Sequence, residues 1–266
     1  MTYPPPGHYL RHLRISEAAH APGEMIGRME CTPDLAGDDG CVRLGPIAAM
    51  VDVVGAAASY DYAAPDWAAT LDLSLQLAGP VTGPLVVARP ALLRSGGGTM
   101  VVDLPLTDGA DAPVGRATVT YTRLPRRDDN PLARPTLPPD YPPVEADRPS
   151  LWGYLGLRER DGGVELDRIV PVHNSIGAVN GGALATLADE AALLTARRVF
   201  GGPARTTDCM IHYLAAGRTG PLHALATPQR HDASGLVLRV EITDTGDPRG
   251  ARLVTLVTVN AQPVAG

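Results

Sequence analysis

The stretch HNSIGAVNGGALATLADEAA, residues 173–192, combines a polar approach, a Gly-Gly pair and a run rich in alanine and leucine. The pair predicts the start of a helix, and the run after it is apolar on nearly every side, so the helix should be buried. Asp189 lies about two turns into this helix. Carboxylates are rarely buried without a partner or a function. Asp189 is therefore a candidate catalytic residue.

An earlier stretch of the chain repeats this pattern. RLGPIAAMVDVVGAAASY, which begins at Arg43, aligns with NGGALATLADEAALLTA, and Asp189 minus Asp52 is 137. The T-x-D motifs that follow keep the offset, because Thr206 minus Thr70 is 136. Such a near-constant offset predicts an internal repeat. We predict two domains, residues 1–125 and 151–266, joined by an extended linker at 126–150 that contains seven prolines.

Each predicted helix is followed by several short segments that alternate apolar and polar residues. In the first half these are ATLDLSLQL, LVVARPALL, TMVVDLPLT and GRATVTYTRL, and tight Gly-rich turns separate them. This pattern predicts antiparallel strands. A helix that is apolar nearly all round has to be covered, and the strands are the only elements available to cover it. The predicted fold class is therefore α+β, with two antiparallel sheets that each wrap a long central helix.

The composition excludes some classes of protein. The net charge is −6 and the chain contains no lysine, which argues against a nucleic-acid binder. No window is apolar enough to span a membrane, and the N-terminus lacks the apolar core of a signal peptide. The three cysteines form no CxxC pair, and we expect them to be reduced thiols. We therefore expect a soluble cytoplasmic protein, and the arginine-, alanine- and proline-rich composition suggests a bacterial one.

The motif N-x-x-G-x-x-[H/N]-G-G with a following L-x-D resembles that of the hotdog-fold acyl-CoA thioesterases of the phenylacetate-degradation type. The matching residues are Asn174, Gly177, Asn180, Gly181, Gly182 and Asp189. The resemblance implies a tandem, double hotdog chain that hydrolyses an acyl-CoA or related thioester. It implies no cofactor, since coenzyme A is part of the substrate. In the family a histidine usually precedes the two glycines, but Asn180 stands here and cannot titrate.

Thioester hydrolysis needs a donor for the developing oxyanion and a carboxylate. The amides that open a helix are unpaired and lie at the positive end of its dipole, so the Gly181 amide is the candidate donor. An aspartate in an apolar groove has a raised pKa, which suits a general base. The sequence leaves open whether this aspartate activates water or attacks the thioester as a nucleophile.

In hotdog thioesterases each site is shared between two units, and the resemblance implies the same for the two halves of this chain. Asn174 and Gly181 should face Asp52 and Thr70, which gives a complete set. The reciprocal site would pair Asp189 and Thr206 with the first-half positions that the repeat aligns with Asn174 and Gly181. Those positions are occupied by Gly37 and Leu44, so the reciprocal site is expected to be degenerate. We therefore predict one working site per chain.

Other candidate residues and functions remain open at this stage. Asn180, Gly182, Thr206 and His173 are candidate substrate-binding residues, although a loop histidine such as His173 more commonly bonds nearby backbone. The spacing of the histidines predicts no metal site. Because the chain has one phenylalanine and two tryptophans, we expect a substrate pocket with aliphatic walls, which would accept medium chains or aryl groups alike.

The alternative function is an inactive acyl-CoA or fatty-acyl binding or regulatory protein. Further association of chains into a homo-oligomer is plausible in either case.

Overall fold

The computed structural model describes residues 3–21, 24–126, 137–144, 148–232 and 235–264. In these residues two long helices lie against one antiparallel sheet of 13 strands. No helix in them has both the length and the apolar character needed to cross a membrane.

The first half contains two α-helices, a 3-10 helix and seven strands. They are α1 (Tyr9–His12), β1 (Ile15–Ala21), β2 (Glu24–Glu30), η1 (Pro33–Leu35), α2 (Leu44–Ala63), β3 (Trp67–Leu77), β4 (Leu85–Ala88), β5 (Ala91–Gly96), β6 (Thr99–Asp108) and β7 (Pro113–Leu124).

The second half contains the same kinds of element in the same order, with four strands after its long helix in place of five. They are α3 (Leu151–Leu155), β8 (Arg158–Arg160), β9 (Gly163–Leu166), η2 (Val170–Val172), α4 (Gly181–Phe200), β10 (Ala204–Tyr213), β11 (Leu222–Asp232), β12 (Gly235–Asp244) and β13 (Arg252–Pro263).

The offset found in the sequence also relates these elements. The repeat aligns Leu44 with Gly181, and these are the first residues of α2 and α4. Even the small bridge between Ala36 and Val42, before α2, has its counterpart between His173 and Val179, before α4. The two halves therefore share one local architecture, as an internal repeat predicts.

The two long helices begin differently. Asn180 caps α4, because its side-chain oxygen accepts a hydrogen bond from the Gly182 amide, 2.9 Å away. Arg43 occupies the equivalent position before α2 and makes no capping bond. At the other end, α4 stops at Gly201, whose left-handed conformation is typical of a helix C-terminal cap. Both helices have twenty residues.

The expectation of two separate sheets is wrong. Strand β3 of the first half pairs with β10 of the second half, from Asp72 opposite His212 to Gln76 opposite Asp208. This pairing joins all the strands into one continuous sheet. The physical reason is that β3 and β10 would each be an edge strand in a separate half, with unpaired backbone groups. Pairing the two strands with each other satisfies those groups.

Both strands at this junction contain a β-bulge beside the threonine of the T-x-D motif. In β3 the register against β7 shifts between Thr70 and Asp72. In β10 the register against β13 shifts between Thr206 and Asp208. A bulge redirects the side chains next to it, and both threonines bond the aspartate of their own half: Thr70 to Asp52 and Thr206 to Asp189, each at 2.6 Å.

The N-terminal parts of α2 and α4 cross each other in opposite directions. A Cβ atom on Gly182 would lie 2.7 Å from the Cα of Ala49, and one on Gly45 would lie 2.9 Å from the Cα of Thr186. Glycine is therefore required at both positions for the helix backbones to approach this closely. This crossing brings the start of α4 against the middle of α2.

The described parts of the predicted linker pack against the first half rather than running freely over its surface. Leu137 is buried. The Tyr141 hydroxyl donates to the carbonyl of Ile15, and Arg14 donates to the carbonyl of Pro142. Residues 127–136 and 145–147 of the linker lie outside the described residues, and the proposed limits of the two domains stay a prediction.

We predict that Gly45→Ala lowers the free energy of unfolding by about 1 to 3 kcal/mol, because the added methyl group overpacks a backbone contact that cannot yield. Urea denaturation measures the change. Gly79→Ala is the matched control, since a Cβ there would meet no atom within 4 Å. Equal stabilities of the two variants would contradict the close helix crossing.

Candidate active site

Asp52 lies at the centre of the candidate site. It is buried, with 6% of its surface exposed. The Thr70 hydroxyl donates to its Oδ1 atom. Its Oδ2 atom faces the start of α4, where a Cβ on Gly181 would lie only 2.8 Å away. The Tyr121 hydroxyl donates to the backbone carbonyl of Asp52 at 3.0 Å, which holds this turn of α2 in place.

The environment of Asp52 favours its protonated form. Burial raises its pKa to about 6, and the bonds from Thr70 and from the backbone of Gly182 offset that effect only in part. In the part of the chain that the structure describes, no arginine or histidine forms an ion pair with Asp52. A carboxylate with a pKa near neutrality is a suitable general base.

Asn180 holds the start of α4 through three hydrogen bonds. Its Oδ1 accepts from the Gly182 amide and, at 2.5 Å, from the Tyr9 hydroxyl. Its Nδ2 donates to the Tyr3 hydroxyl at 3.2 Å. The Tyr213 hydroxyl donates to the carbonyl of Gly181 at 3.1 Å. The Gly181 amide is the first in the helix and forms no hydrogen bond with the described residues, so it can donate to a ligand.

Asn174 organises the loop that leads to this helix. Its Oδ1 accepts from the amides of Ile176 and Ala178, at 3.1 and 2.9 Å. Because its oxygen is occupied in this way, Asn174 offers its Nδ2 group as a donor. Two arginines hold the same loop from outside, with Arg218 donating to the carbonyl of Ile176 and Arg168 to that of Gly177.

The predicted composite set lines one cavity of about 320 Å³ between the two halves. The structure brings together Asp52 and Thr70 from the first half with Asn174, Asn180 and Gly181 from the second half. The cavity walls also include aromatic residues that the sequence analysis did not anticipate, which are Tyr3, Tyr60, Trp67 and Tyr213. The walls thus combine the expected aliphatic residues, such as Ala56, Ala69 and Leu184, with aromatic ones, three of which are among the eight tyrosines of the chain.

The sequence contains no pattern that would have predicted the contacts of Tyr3 and Tyr9 with Asn180. Both tyrosines lie more than 170 positions before Asn180, in a segment that fits no motif. Burial raises the pKa of both phenols, so both hydroxyls are neutral near pH 7 and can donate. His8 also bonds to this region, with its Nε2 2.8 Å from the carbonyl oxygen of His173, and burial lowers its pKa to about 4.

Asp189 has a different environment from Asp52. Arg43 donates to its Oδ2 at 3.0 Å and also pairs with Glu190, and the arginine side chain is buried. The guanidinium carbon lies 3.9 Å from the centre of the Trp152 ring. The repeat aligns Arg43 with Asn180, so an arginine occupies the first-half position that corresponds to the cap of α4. The Asp189 carboxylate is therefore neutralised by a buried cation.

The remaining candidate residues lie away from the cavity around Asp52. Thr206 is bonded to Asp189 and lines, together with Arg43, a separate cavity of about 290 Å³. Gly182 packs against Ala49 and Tyr9 at the helix crossing. The ring of His173 is not among the described residues that line the Asp52 cavity, and its backbone carbonyl accepts bonds from Tyr3 and His8. We find no group of histidine, cysteine and acidic side chains that could hold a metal ion in the described parts of the chain.

Comparison with solved structures shows that the chain has the hotdog fold. A hot dog fold protein of unknown function from Alicyclobacillus acidocaldarius is 17% identical, with a TM-score of 0.63 over 94% of this chain and 96% of that one. A tesB protein from Mycobacterium avium subspecies paratuberculosis is 12% identical, with a TM-score of 0.64 over 97% and 98% of the two chains. A 12:0-ACP thioesterase from Umbellularia californica is also 12% identical, with a TM-score of 0.62 over 91% and 95%.

Comparison of sequences connects part of the chain to one family. Residues 176–251 match the thioesterase superfamily. The matched segment begins just before α4 and ends as β13 begins, so it contains Gly181 and Asp189 but not Asp52. No curated protein sequence matches the chain.

We predict that Asp52→Asn stabilises the protein at high pH. The folded-state pKa of about 6 lies above the usual value, so the folded protein holds this proton more tightly than the unfolded chain. The stability that it contributes is full below about pH 4 and is lost as the pH rises through 6. At pH 8 the variant should be more stable by roughly 2 to 3 kcal/mol, and at pH 4 by little.

Urea unfolding of both proteins between pH 4 and pH 8 measures this difference. Asp140→Asn, which removes an exposed carboxylate, serves as the control. A pH-independent difference for Asp52→Asn would show that burial does not raise the pKa of this group.

Proposed function

We propose that this protein is a thioesterase that hydrolyses an acyl-CoA or a related thioester at the Asp52 cavity. The observation that carries the proposal is the contact between the buried, uncompensated Asp52 carboxylate of one half and the Gly181 helix start of the other. The match of residues 176–251 to the thioesterase superfamily supports the reaction class. We also propose that the chain is a double hotdog, in which two fused halves replace two subunits.

The arrangement suits the chemistry of thioester hydrolysis. The substrate carbonyl would accept from the Gly181 amide, which also stabilises the oxyanion of the tetrahedral intermediate. Asp52 would take a proton from water as the hydroxyl oxygen adds to the carbonyl carbon. The intermediate then breaks its C–S bond, and Asp52 returns the proton to the leaving sulfur. Thr70 orients the carboxylate throughout, through its bond to Oδ1.

Direct attack by Asp52 on the thioester is a second mechanism that the same residues could support. The carboxylate would form a mixed anhydride with the acyl group and release the thiol, and water would then cleave the anhydride. Incorporation of label into Asp52 during a single turnover in ¹⁸O-labelled water identifies direct attack. Water activation puts the label into the released acid alone, whereas attack followed by hydrolysis at the protein carbonyl puts it into Asp52.

The alternative of an inactive acyl-binding protein accounts less well for Asp52. A buried carboxylate without a cation is costly to stability and adds nothing to the binding of an apolar chain. In the other half the equivalent cost is removed by Arg43, which pairs with Asp189. Retention of one uncompensated carboxylate beside a free helix amide favours catalysis over binding alone.

Arg218 supports coenzyme A as the thiol component of the substrate. It is exposed, and it is the one cation among the described residues that line the Asp52 cavity. Its guanidinium is held by the carbonyl of Ile176 and has further donors that can bind a phosphate. The arginines at the end of α4 and at the start of β10 are less suitable, because each is already paired with an acidic residue. Arg197, Arg198 and Arg205 pair with Asp38, Glu159 and Asp39, respectively.

We predict that Asp52→Asn lowers kcat by a factor of about 100 to 10,000, since it removes the base or nucleophile. Asp189→Asn should largely spare kcat, because that carboxylate is already neutralised by Arg43. Release of free thiol from a panel of acyl-CoA substrates measures both. The Asp189→Asn enzyme should keep the wild-type pH profile, which falls as the pH drops through about 6.

Circular dichroism and the unfolding midpoint of each variant are needed as controls, because Asp189→Asn removes one of the two partners of Arg43. Loss of activity in Asp189→Asn with full activity in Asp52→Asn would overturn the assignment of the working site. Ligand-dependent thermal stabilisation without turnover by the wild-type protein would favour the binding function.

For the thiol component we predict that Arg218→Gln raises KM for an acyl-CoA by roughly tenfold or more, since a charge-assisted bond to phosphate is lost. The same change should leave KM for the matching N-acetylcysteamine thioester unaltered, because that substrate carries no phosphate. Arg239→Gln is the control for net charge, as Arg239 is exposed and pairs with Glu241. Equal effects on both substrates would rule out phosphate recognition by Arg218.

A further inference from the structure

The Asp52 cavity extends along one face of helix α2. Asp52, Ala56 and Tyr60 are spaced four residues apart, so their side chains lie in a row on that face, and all three line the cavity. Eight residues of helix separate the first from the last, which corresponds to about 12 Å. This wall therefore begins at the catalytic carboxylate and ends at the ring of Tyr60.

The first residues of strand β3 form a second wall of the same cavity. Thr70 is bonded to Asp52, which fixes this end of the strand beside the carboxylate. Trp67 lies three residues earlier in β3, about 10 Å away, and is opposite Leu124 of β7. Trp67 is 5% exposed and lines the same cavity. Counted along α2 and β3, the spacing therefore separates a large aromatic side chain of the cavity lining by about 10 to 12 Å from the Asp52 end in both elements.

The space between the two ends is lined by small uncharged residues. Ala56 comes from α2, and Ala68 and Ala69 come from β3. Small side chains leave room between the helix and the strand, and their methyl groups provide an apolar surface. Each methylene group that is buried on such a surface strengthens binding by about fourfold. This part of the cavity therefore suits an unbranched hydrocarbon chain.

We propose that this channel is the acyl-binding subsite and that Tyr60 and Trp67 limit it to acyl chains of about eight to ten carbons. An extended polypeptide advances 3.3–3.6 Å per residue, or about 1.2 Å for each of its three bonds. At that advance a distance of about 10 to 12 Å accommodates about eight to ten bonds. The inference rests on the proposed function, and it selects medium-chain substrates over the short aryl groups that the sequence leaves open.

The test compares kcat/KM for saturated acyl-CoA substrates from two to sixteen carbons, with benzoyl-CoA as a short aryl substrate. The wild-type protein should show its maximum at eight to ten carbons and a fall beyond twelve. Ala56→Leu fills the middle of the channel and should move the maximum to at most six carbons. Trp67→Ala opens the far end and should move the maximum to longer chains.

Ala58→Leu is the matched control for Ala56→Leu. It makes the same change in the same helix, at a half-buried alanine that is not among the residues lining the cavity. This control should keep the wild-type maximum. If Trp67→Ala does not fold, the comparison of the two leucine variants still decides the question.

A wild-type maximum at two to four carbons or with benzoyl-CoA would overturn the proposal, as would an unchanged maximum in Ala56→Leu. These outcomes differ from a failure of the proposed function, in which no thioester is hydrolysed in an Asp52-dependent manner. Hydrolysis that depends on Asp52 but shows no dependence on chain length would remove the acyl subsite and keep the thioesterase.

Discussion

The close crossing of the two long helices is the constraint on which the rest of the structure depends. The backbones meet where Gly182 faces Ala49 and where Gly45 faces Thr186, at distances that leave no room for a side chain. Only at this separation does the start of α4 reach Asp52, which lies in the middle of α2. The same crossing completes the core between the halves and creates the candidate site. Packing and function are therefore inseparable here, and a change that separates the helices would affect both.

The repeat places a buried aspartate at two equivalent positions, and the two carboxylates differ in whether a cation pairs with them. Asp189 is paired with Arg43, whose guanidinium also contacts Glu190 and the ring of Trp152. Removing one partner from such a buried pair typically costs about 3 to 5 kcal/mol, so this aspartate now contributes to structure. Asp52 retains a threonine and a helix amide but gains no cation from the described residues. The cation that separates the two environments comes from the position occupied by Arg43 in one half and by Asn180 in the other.

Much of this arrangement could be predicted from the sequence, because the patterns that determine it are local. The near-constant offset predicts the repeat, the apolar runs predict α2 and α4, and alternation predicts the strands. Other features depend on contacts that local patterns do not encode. The alignment places Arg43 opposite Asn180, yet it does not indicate that the guanidinium turns inward to Asp189. Likewise, nothing in the N-terminal segment indicates that Tyr9 bonds Asn180, 171 residues away. The alternating pattern of β3 and β10 does not indicate that these two strands pair with each other.

Asn180 cannot transfer a proton at this site. It does not titrate, and its bonds to Tyr9, Tyr3 and the Gly182 amide give it a positioning function at the helix start. Burial raises the pKa of the tyrosines Tyr3 and Tyr213 that line the cavity, which leaves Asp52 to carry a proton near neutral pH. One such group is sufficient for a thioester. A thiol has a pKa of about 8 to 9, so a thiolate leaves readily and needs little assistance from a separate acid. An amide or an ester has a more basic leaving group that would need assistance from an acid, so the proposed mechanism with one carboxylate suits a thioester better than either.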